Sequence, residues 1–414
     1  MQEKSLLIIG AVWVEPNSSA AGKRMLQLIA QFLERDYKIT FAAASQKNEK
    51  AIDLISLGID EVAIELNNAS FDVFVKELQP NIVLFDRFMM EEQFGWRVAE
   101  NCPKALRILD TEDLHCLRKT RELCAKQQRT FSIDQLLKQD ITKREIAAIL
   151  RCDFSLIIST FEMELLKNTF KIADTILMYL PFLFDEITAE HQKKWKPFEE
   201  RAHFIFIGNF FHKPNVDAVL TLKNEIWTQI RKQLPKAEIH VYGAYMQQQI
   251  QELHHKKEGF IVKSFAEDAN AVVGDAKAVL APLNFGAGIK GKLTEAMLCG
   301  TPSITTSIGV EGMANNLPWN GFVADNFSEF ALKAVELYTN KAVWKQSQLN
   351  GVAIINSVYS KEKNALLFFN KIEEIQQDLE KHRTANFLGS LLQHQTLQAT
   401  KYMSKWIESK NSMR

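Results

Sequence analysis

The chain has 414 residues, more than one hydrophobic core usually organises, so two domains are expected. Its composition is 46% hydrophobic and 24% charged, with 50 basic and 50 acidic side chains. That is the make-up of an ordinary globular protein, and it excludes a bulk field that would recruit nucleic acid.

The apolar stretch 6–14 reads as a buried first strand rather than a signal-peptide core, because Glu3, Glu15 and Pro16 interrupt the pattern a signal would need. No apolar run approaches the roughly 18 residues of a membrane span. Further strands are predicted at 38–43, 61–66, 81–86, 106–110, 154–159 and 175–180, separated by helical periodicity, with the first strand itself covering 6–12. Ser18 and Ser19 stand where they would cap a helix carrying Met25, Leu26, Ile29, Phe32 and Leu33. The segment 117–151 reads as helices broken at 130–134. A polar stretch, 185–201, is the expected linker, with its boundary near Lys194.

Beyond the linker the pattern restarts, with strands expected at 203–207, 238–242, 260–265, 278–282, 303–306 and 322–324 and helices at 215–234 and 329–337. The fold class is therefore α/β: two doubly wound Rossmann-like domains, 1–190 and 200–360, facing each other across a cleft. A helical extension, 361–414, follows. Its end carries Tyr402, Met403, Trp406 and Ile407 among Lys401, Lys405 and Lys410, and is expected to pack back on the protein; anchoring at a membrane surface is the alternative. Five scattered cysteines, Cys102, Cys116, Cys124, Cys152 and Cys299, make neither a disulfide framework nor a zinc site, which suits a reducing cytoplasm.

The run Ala281-Pro-Leu-Asn-Phe-Gly-Ala-Gly-Ile-Lys-Gly-Lys-Leu-Thr-Glu295 carries the most chemistry. A buried strand ends at Pro282, Gly286 and Gly288 permit close backbone approach, Ile289 leads into a helix, and that helix begins near Lys290. A helix N-terminus offers unpaired amides and a positive dipole end, and Lys290 and Lys292 add two cations, the requirements of a diphosphate site. Glu295, one turn on, is placed to accept hydrogen bonds from a ribose diol. The alternative is an ordinary strand-loop-helix connection with surface lysines.

Together with Phe206-Ile-Gly208-Asn, Pro214-Asn215-Val-Asp217, Val241-Tyr-Gly243 and Thr305-Thr-Ser-Ile-Gly309-Val-Glu311-Gly312, this run resembles the donor-binding domain of the group 1, family 4-like glycosyltransferases of GT-B fold. The resemblance spans most of 204–375 and is weaker in the N-terminal half. It implies that Glu295 is the second glutamate of an E-x7-E motif, which binds the ribose, and that Gly208 and Gly243 belong to the donor site. The first glutamate's position holds Ala287. Where the family has Gly-Arg and then a lysine for the diphosphate, this chain has Gly208-Asn209, with Lys213 loosely in the lysine's place.

On the acceptor side, Asn17, Ser18 and Ser19 form a polar loop that is either a ligand contact or a simple helix cap. The segment Asp110-Thr-Glu112-Asp113-Leu-His115 leaves the carboxyl edge of a strand. His115 is the expected catalytic histidine, with Asp113 fixing its tautomer; the competing reading makes these carboxylates partners of a helix dipole.

The resulting expectation is a cytoplasmic glycosyltransferase, possible also at the inner membrane surface, that moves a sugar from a nucleoside diphosphate sugar to a carbohydrate or lipid-linked acceptor hydroxyl with retention. No metal and no cofactor are expected to be required. Alternatives are a silent sugar-nucleotide-binding subunit and a GT-B epimerase.

Overall fold

The computed structural model describes residues 4–394 together with Tyr402, Met403 and Trp406. Ile407, Lys401, Lys405 and Lys410, which the sequence reading placed on a terminal amphipathic helix, lie outside the described residues.

Two parallel sheets dominate. The first joins β1 (Ser5–Gly10), β2 (Lys38–Ala43), β3 (Asp60–Ala63), β4 (Ile82–Asp86), β5 (Leu106–Asp110), β6 (Phe154–Ile157) and β7 (Leu177–Tyr179) in the order β3-β2-β1-β4-β5-β6-β7. The second joins β8 (Ala202–Ile207), β9 (Ile239–Tyr242), β10 (Phe260–Val262), β11 (Ala276–Ala281), β12 (Ser303–Thr305) and β13 (Gly321–Val323) in the order β10-β9-β8-β11-β12-β13. The strands are short runs of Ile, Leu, Val and Phe covered on both faces, as in β4, where every residue is buried.

Every predicted strand is present. The differences are at the ends: the expected strands run on to Leu66 and Phe265, whereas the ladders stop at Ala63 and Val262, where Glu65, Lys263 and Ser264 interrupt the apolar pattern. The long helix expected at 215–234 is also modified. It starts at Lys213 and passes through a π turn, Leu222–Ile226, whose extra residue lets Leu222, Ile226 and Trp227 all face the core.

The helices that frame the cleft and the chain's return are α1 (Ala20–Leu33), α2 (His115–Lys126), α3 (Asp140–Arg151), α4 (Thr160–Asn168), α5 (Lys213–Thr221), α6 (Gly291–Leu298), α7 (Lys341–Val358), α8 (Lys361–Gln377), α9 (Leu379–Ala385) and α10 (Phe387–Gln393). In each sheet the order reverses beside the first strand, between β1 and β4 and between β8 and β11. Ligands of open α/β sheets bind outside the strand carboxyl ends at such a switch point.

The chain crosses between the two halves at one place. Phe184 N donates to Tyr359 O at 2.8 Å and Lys361 N donates to Phe184 O at 2.9 Å, so the outgoing and returning segments run side by side. α7 buries Trp344, Ile354 and Ile355 in the second domain's core. α8 instead buries Phe368, Phe369, Ile372 and Ile375 in the first domain's core. α9 is fastened to the same domain by Arg383, which grips Asp153 at 2.7 and 2.8 Å and donates to Ala105 O.

Phe368 makes edge contacts with Phe32 at 5.6 Å and Phe154 at 6.4 Å and is fully buried. Phe368→Ala is expected to destabilise the first domain by about 3–5 kcal/mol, read as a lower urea midpoint, because the cavity cannot be filled by rigid neighbours.

Candidate active site

The carboxyl edges of both sheets enclose a cavity of about 600 Å³. From the first domain it is lined by Asn17, Ser18, Ser19, Asp113 and His115, and from the second by Gly208, Gly243, Gly286, Ile289, Lys290, Lys292 and Glu295. The structure thus brings together the predicted donor and acceptor residues, of which the nearest in sequence, His115 and Gly208, are 93 positions apart. Gly288 stands apart from the lining: its amide donates to Glu162 Oε1 at 2.8 Å and is not offered to a ligand.

The approach of the two domains is close. A Cβ on Gly291 would lie 2.7 Å from the Ala20 Cβ, so the N-terminal ends of α1 and α6 meet across the cleft. Gly288, with φ 62°, presses on Asp113 in the same way; its added Cβ would lie 2.8 Å from the Asp113 Cβ. Both helices therefore direct positive dipole ends at one small volume.

The cations follow that geometry. Lys292 donates to Asn215 Oδ1 and lies over the Phe206 ring at 4.5 Å. Burial pushes its ammonium down to about 7, with Glu295 opposing. Burial likewise brings Lys290 down to about 8 against the pull of Glu311 and Glu162. Its Nζ donates to Gly288 O at 2.8 Å. Glu295 is paired across the cleft with Lys23 at 2.6 Å, so a ribose diol reaching this carboxylate has to displace an ammonium from the first domain.

Lys213, which the sequence placed loosely at the family's lysine position, pairs with Glu122 at 2.8 Å and is absent from the cavity lining. Asn209 lines the cavity, and its side chain donates to Ser18 O at 3.0 Å, a domain bridge in the place of a phosphate contact.

On the acceptor side, Ser19 is the N-cap of α1, accepting from Gly22 N at 3.0 Å, while Ser18 donates to Glu15 Oε2 at 2.5 Å. Tyr245 of the second domain donates to the same carboxylate at 2.8 Å. Ser18 and Ser19 are thus held by structure even as they line the cleft. Asn17 is exposed.

His115 is the first residue of α2, and its Nε2 lies 3.3 Å from Asp113 Oδ1. Burial drives its pKa down to about 4, so the imidazole is neutral at pH 7. The contact with Asp113 places the proton on Nε2 and leaves the lone pair on Nδ1. Burial resists the charge on Asp113, but Arg118, at 2.6 Å, and His115 hold its pKa down to about 2. A neutral histidine held by a fixed carboxylate can accept a proton or a hydrogen bond from a hydroxyl.

The reading of Asp110, Glu112 and Asp113 as partners of the helix dipole is corrected. Glu145 accepts from His115 N at 3.0 Å and Cys116 N at 2.7 Å, and Glu162 accepts from Leu114 N at 3.0 Å. Asp110 instead binds the buried Arg24 at 3.0 Å, beneath the cleft. Glu112 keeps a buried oxygen without a partner.

Several lining residues were not singled out by the sequence. Arg87 follows β4 directly and pairs with Asp86 at 3.4 Å; its strand-end position was the available signal. Arg118, His212, Phe211 and Tyr245 had no local signal. The last two rings stack at 4.1 Å. Among the described residues no group of three or more His, Cys, Asp or Glu is arranged to hold a metal ion, and all five cysteines are buried and unpaired.

Residues 201–340 match the family described as glycosyl transferases group 1. No curated protein sequence matches the chain. Among solved structures it is similar to sucrose-phosphate synthase from Thermosynechococcus elongatus, at 13% identity and TM-score 0.65, covering 90% of this chain and 99% of that one. It is also similar to Anabaena HepE in complex with UDP and glucose, at 11% identity and TM-score 0.63, with coverages of 89% and 99%. A third is the pneumococcal O-GlcNAc transferase GtfA in complex with UDP and GlcNAc, at 12% identity and TM-score 0.66, with coverages of 91% and 100%. The fold is GT-B, and it is residues 201–340, the greater part of the second domain, that match the group 1 glycosyltransferase family.

Gly291→Val is expected to hold the cleft open and to cost about 1–3 kcal/mol of stability. Small-angle scattering should show a larger radius of gyration than the unsubstituted protein has; an unchanged radius would mean that the Ala20 contact does not set the closure.

Proposed function

We propose that the protein transfers a glycosyl group from a nucleoside diphosphate sugar to an acceptor hydroxyl, with retention, in the synthesis of a polysaccharide or glycoconjugate. The observation that carries this reading is the convergence of Lys290, Lys292 and Glu295 with His115 in one cavity between two helix N-termini.

In this reading Glu295 takes the ribose diol, releasing Lys23 toward the phosphates. Lys290 and Lys292 face the diphosphate. As the sugar–phosphate bond breaks, charge grows on the leaving diphosphate, and fixed cations and dipole ends stabilise that charge more in the transition state than in the ground state. His115 positions the acceptor hydroxyl. The UDP bound in the two similar structures makes uridine diphosphate sugars the first donors to test. The acceptor is a carbohydrate or a lipid-linked carbohydrate, and the place of action the cytoplasm or the inner face of its membrane; no helix of the described residues is long and apolar enough to cross a membrane.

Calorimetric titration of UDP-, GDP-, ADP- and CMP-sugars tests the reading. One series should bind, with Lys292→Ala and Glu295→Ala each weakening it roughly ten- to a hundred-fold, as expected for lost hydrogen bonds to charged groups. Lys292→Ala should spare binding of the bare nucleoside, whereas Glu295→Ala should not. Absence of any nucleotide binding would remove the reading.

The lysines also set a pH dependence. Burial lets Lys292 and Lys290 lose their protons near pH 7 and 8, and a bound dianion raises both pKa values. Binding should therefore take up protons, and affinity should fall as pH rises above about 7. Titration in buffers of different ionisation enthalpy reads the uptake directly.

A further inference from the structure

Glu162, near the start of α4 in the first domain, has no assigned role in the transfer. It is fully buried. Its Oε1 accepts two amides that belong to opposite sides of the cleft: Leu114 N at 3.0 Å, at the entrance to the His115 helix, and Gly288 N at 2.8 Å, in the donor loop. Its Oε2 is buried and without a partner. A second first-domain residue grips the same loop, because Arg121 donates to Gly286 O at 2.9 Å while pairing with Glu311 at 2.7 and 2.8 Å.

The loop that carries Lys290 into the cleft is thus held at Gly286 and Gly288 by side chains of the other domain. Opening the cleft would break both holds. Closing it forms them and at the same stroke brings the loop against the segment that ends in His115.

We propose that Glu162 is a positioning residue that makes the donor loop's working conformation conditional on domain closure, by tying the Gly288 amide to the start of the His115 helix. The inference deepens the transferase reading and rests on it for its kinetic consequence, but not for its structural one. Glu162 touches no expected substrate atom; it acts through the loop and through α2.

The chemistry of the group gives the inference a signature. Burial raises the Glu162 pKa to about 8, with Asp113 adding to the rise and the two amides and Lys290 opposing it. Arg24 on α1 also faces it, close enough for Glu162 to favour its charge. In an opened cleft the carboxyl gains water and loses the Gly288 amide, so its pKa falls back toward the ordinary carboxylate range. Closure then takes up a proton, and rising pH favours the open state. A glutamine keeps the accepting oxygen and never ionises.

The test uses the full chain, with Glu162→Ala and Glu162→Gln. Hydrogen exchange of the 284–293 segment, together with small-angle scattering, needs no ligand. Glu162→Ala is expected to speed exchange in this segment about ten-fold, the scale of one lost buried hydrogen bond, and to enlarge the molecule. Corrected for intrinsic exchange, the unsubstituted protein should lose protection progressively from the ordinary carboxylate range up to about pH 8 and level off above it, while Glu162→Gln shows no such change. With a bound donor series in hand, Glu162→Ala should lower kcat with little change in KM, since Lys292 and Glu295 remain on the second domain.

Unchanged exchange in Glu162→Ala, or equal pH dependence in Glu162→Gln and the unsubstituted protein, would overturn the proposal. If the alanine variant does not fold, the glutamine comparison decides alone. Failure of nucleotide binding in the unsubstituted protein would remove the transferase reading and leave the exchange result standing.

Discussion

The distance at which the first domain meets the donor loop governs the cleft. It is set by glycine: Gly291 lies against Ala20 and Gly288 against Asp113, each so close that a single methyl group would collide. Because the two helices approach end to end, their positive dipole ends add rather than cancel, and the lysines beside them are driven toward neutrality by burial. Buried cations beside two positive dipole ends regain from a bound anion the charge pairing that burial denies them.

Internal partners satisfy those charges. Lys23 occupies Glu295, Asn215 occupies Lys292, and Gly288 O occupies Lys290. In the proposed reading a sugar nucleotide replaces these partners, a diol for the ammonium and a phosphate oxygen for the amide and carbonyl. The acceptor side differs in kind. There Asp113, His115 and Arg118 form a set fixed by their mutual pairing, with burial holding the histidine neutral.

The return of the chain through α8 has a mechanical consequence. The domains are tethered by two hydrogen-bonded segments of chain at Phe184 and Tyr359. A rotation about these segments would break the bridges across the cleft, such as Arg121 to Glu311, Tyr245 to Glu15 and Glu162 to Gly288, together.

The alternation of short apolar runs with helical periodicity, with the restart after 201, determined two parallel sheets and the edge at which a ligand would sit, because buried parallel strands need continuous apolar runs and each crossover needs a helix. The local run from Gly286 to Glu295 determined a glycine- and lysine-bearing loop that opens a helix, since glycine, lysine and a helix start are all readable within a dozen residues. Tertiary structure alone decided the rest. Glu145 and Glu162, rather than the neighbouring carboxylates, cap the His115 helix; they lie 30 and 48 positions from the amides they accept, and no periodicity marks a carboxylate that distant. Lys23 on Glu295 and Glu162 on Gly288 join residues 272 and 126 positions apart. Such pairings are set by how two finished sheets meet, and a sequence read one element at a time carries no record of that meeting.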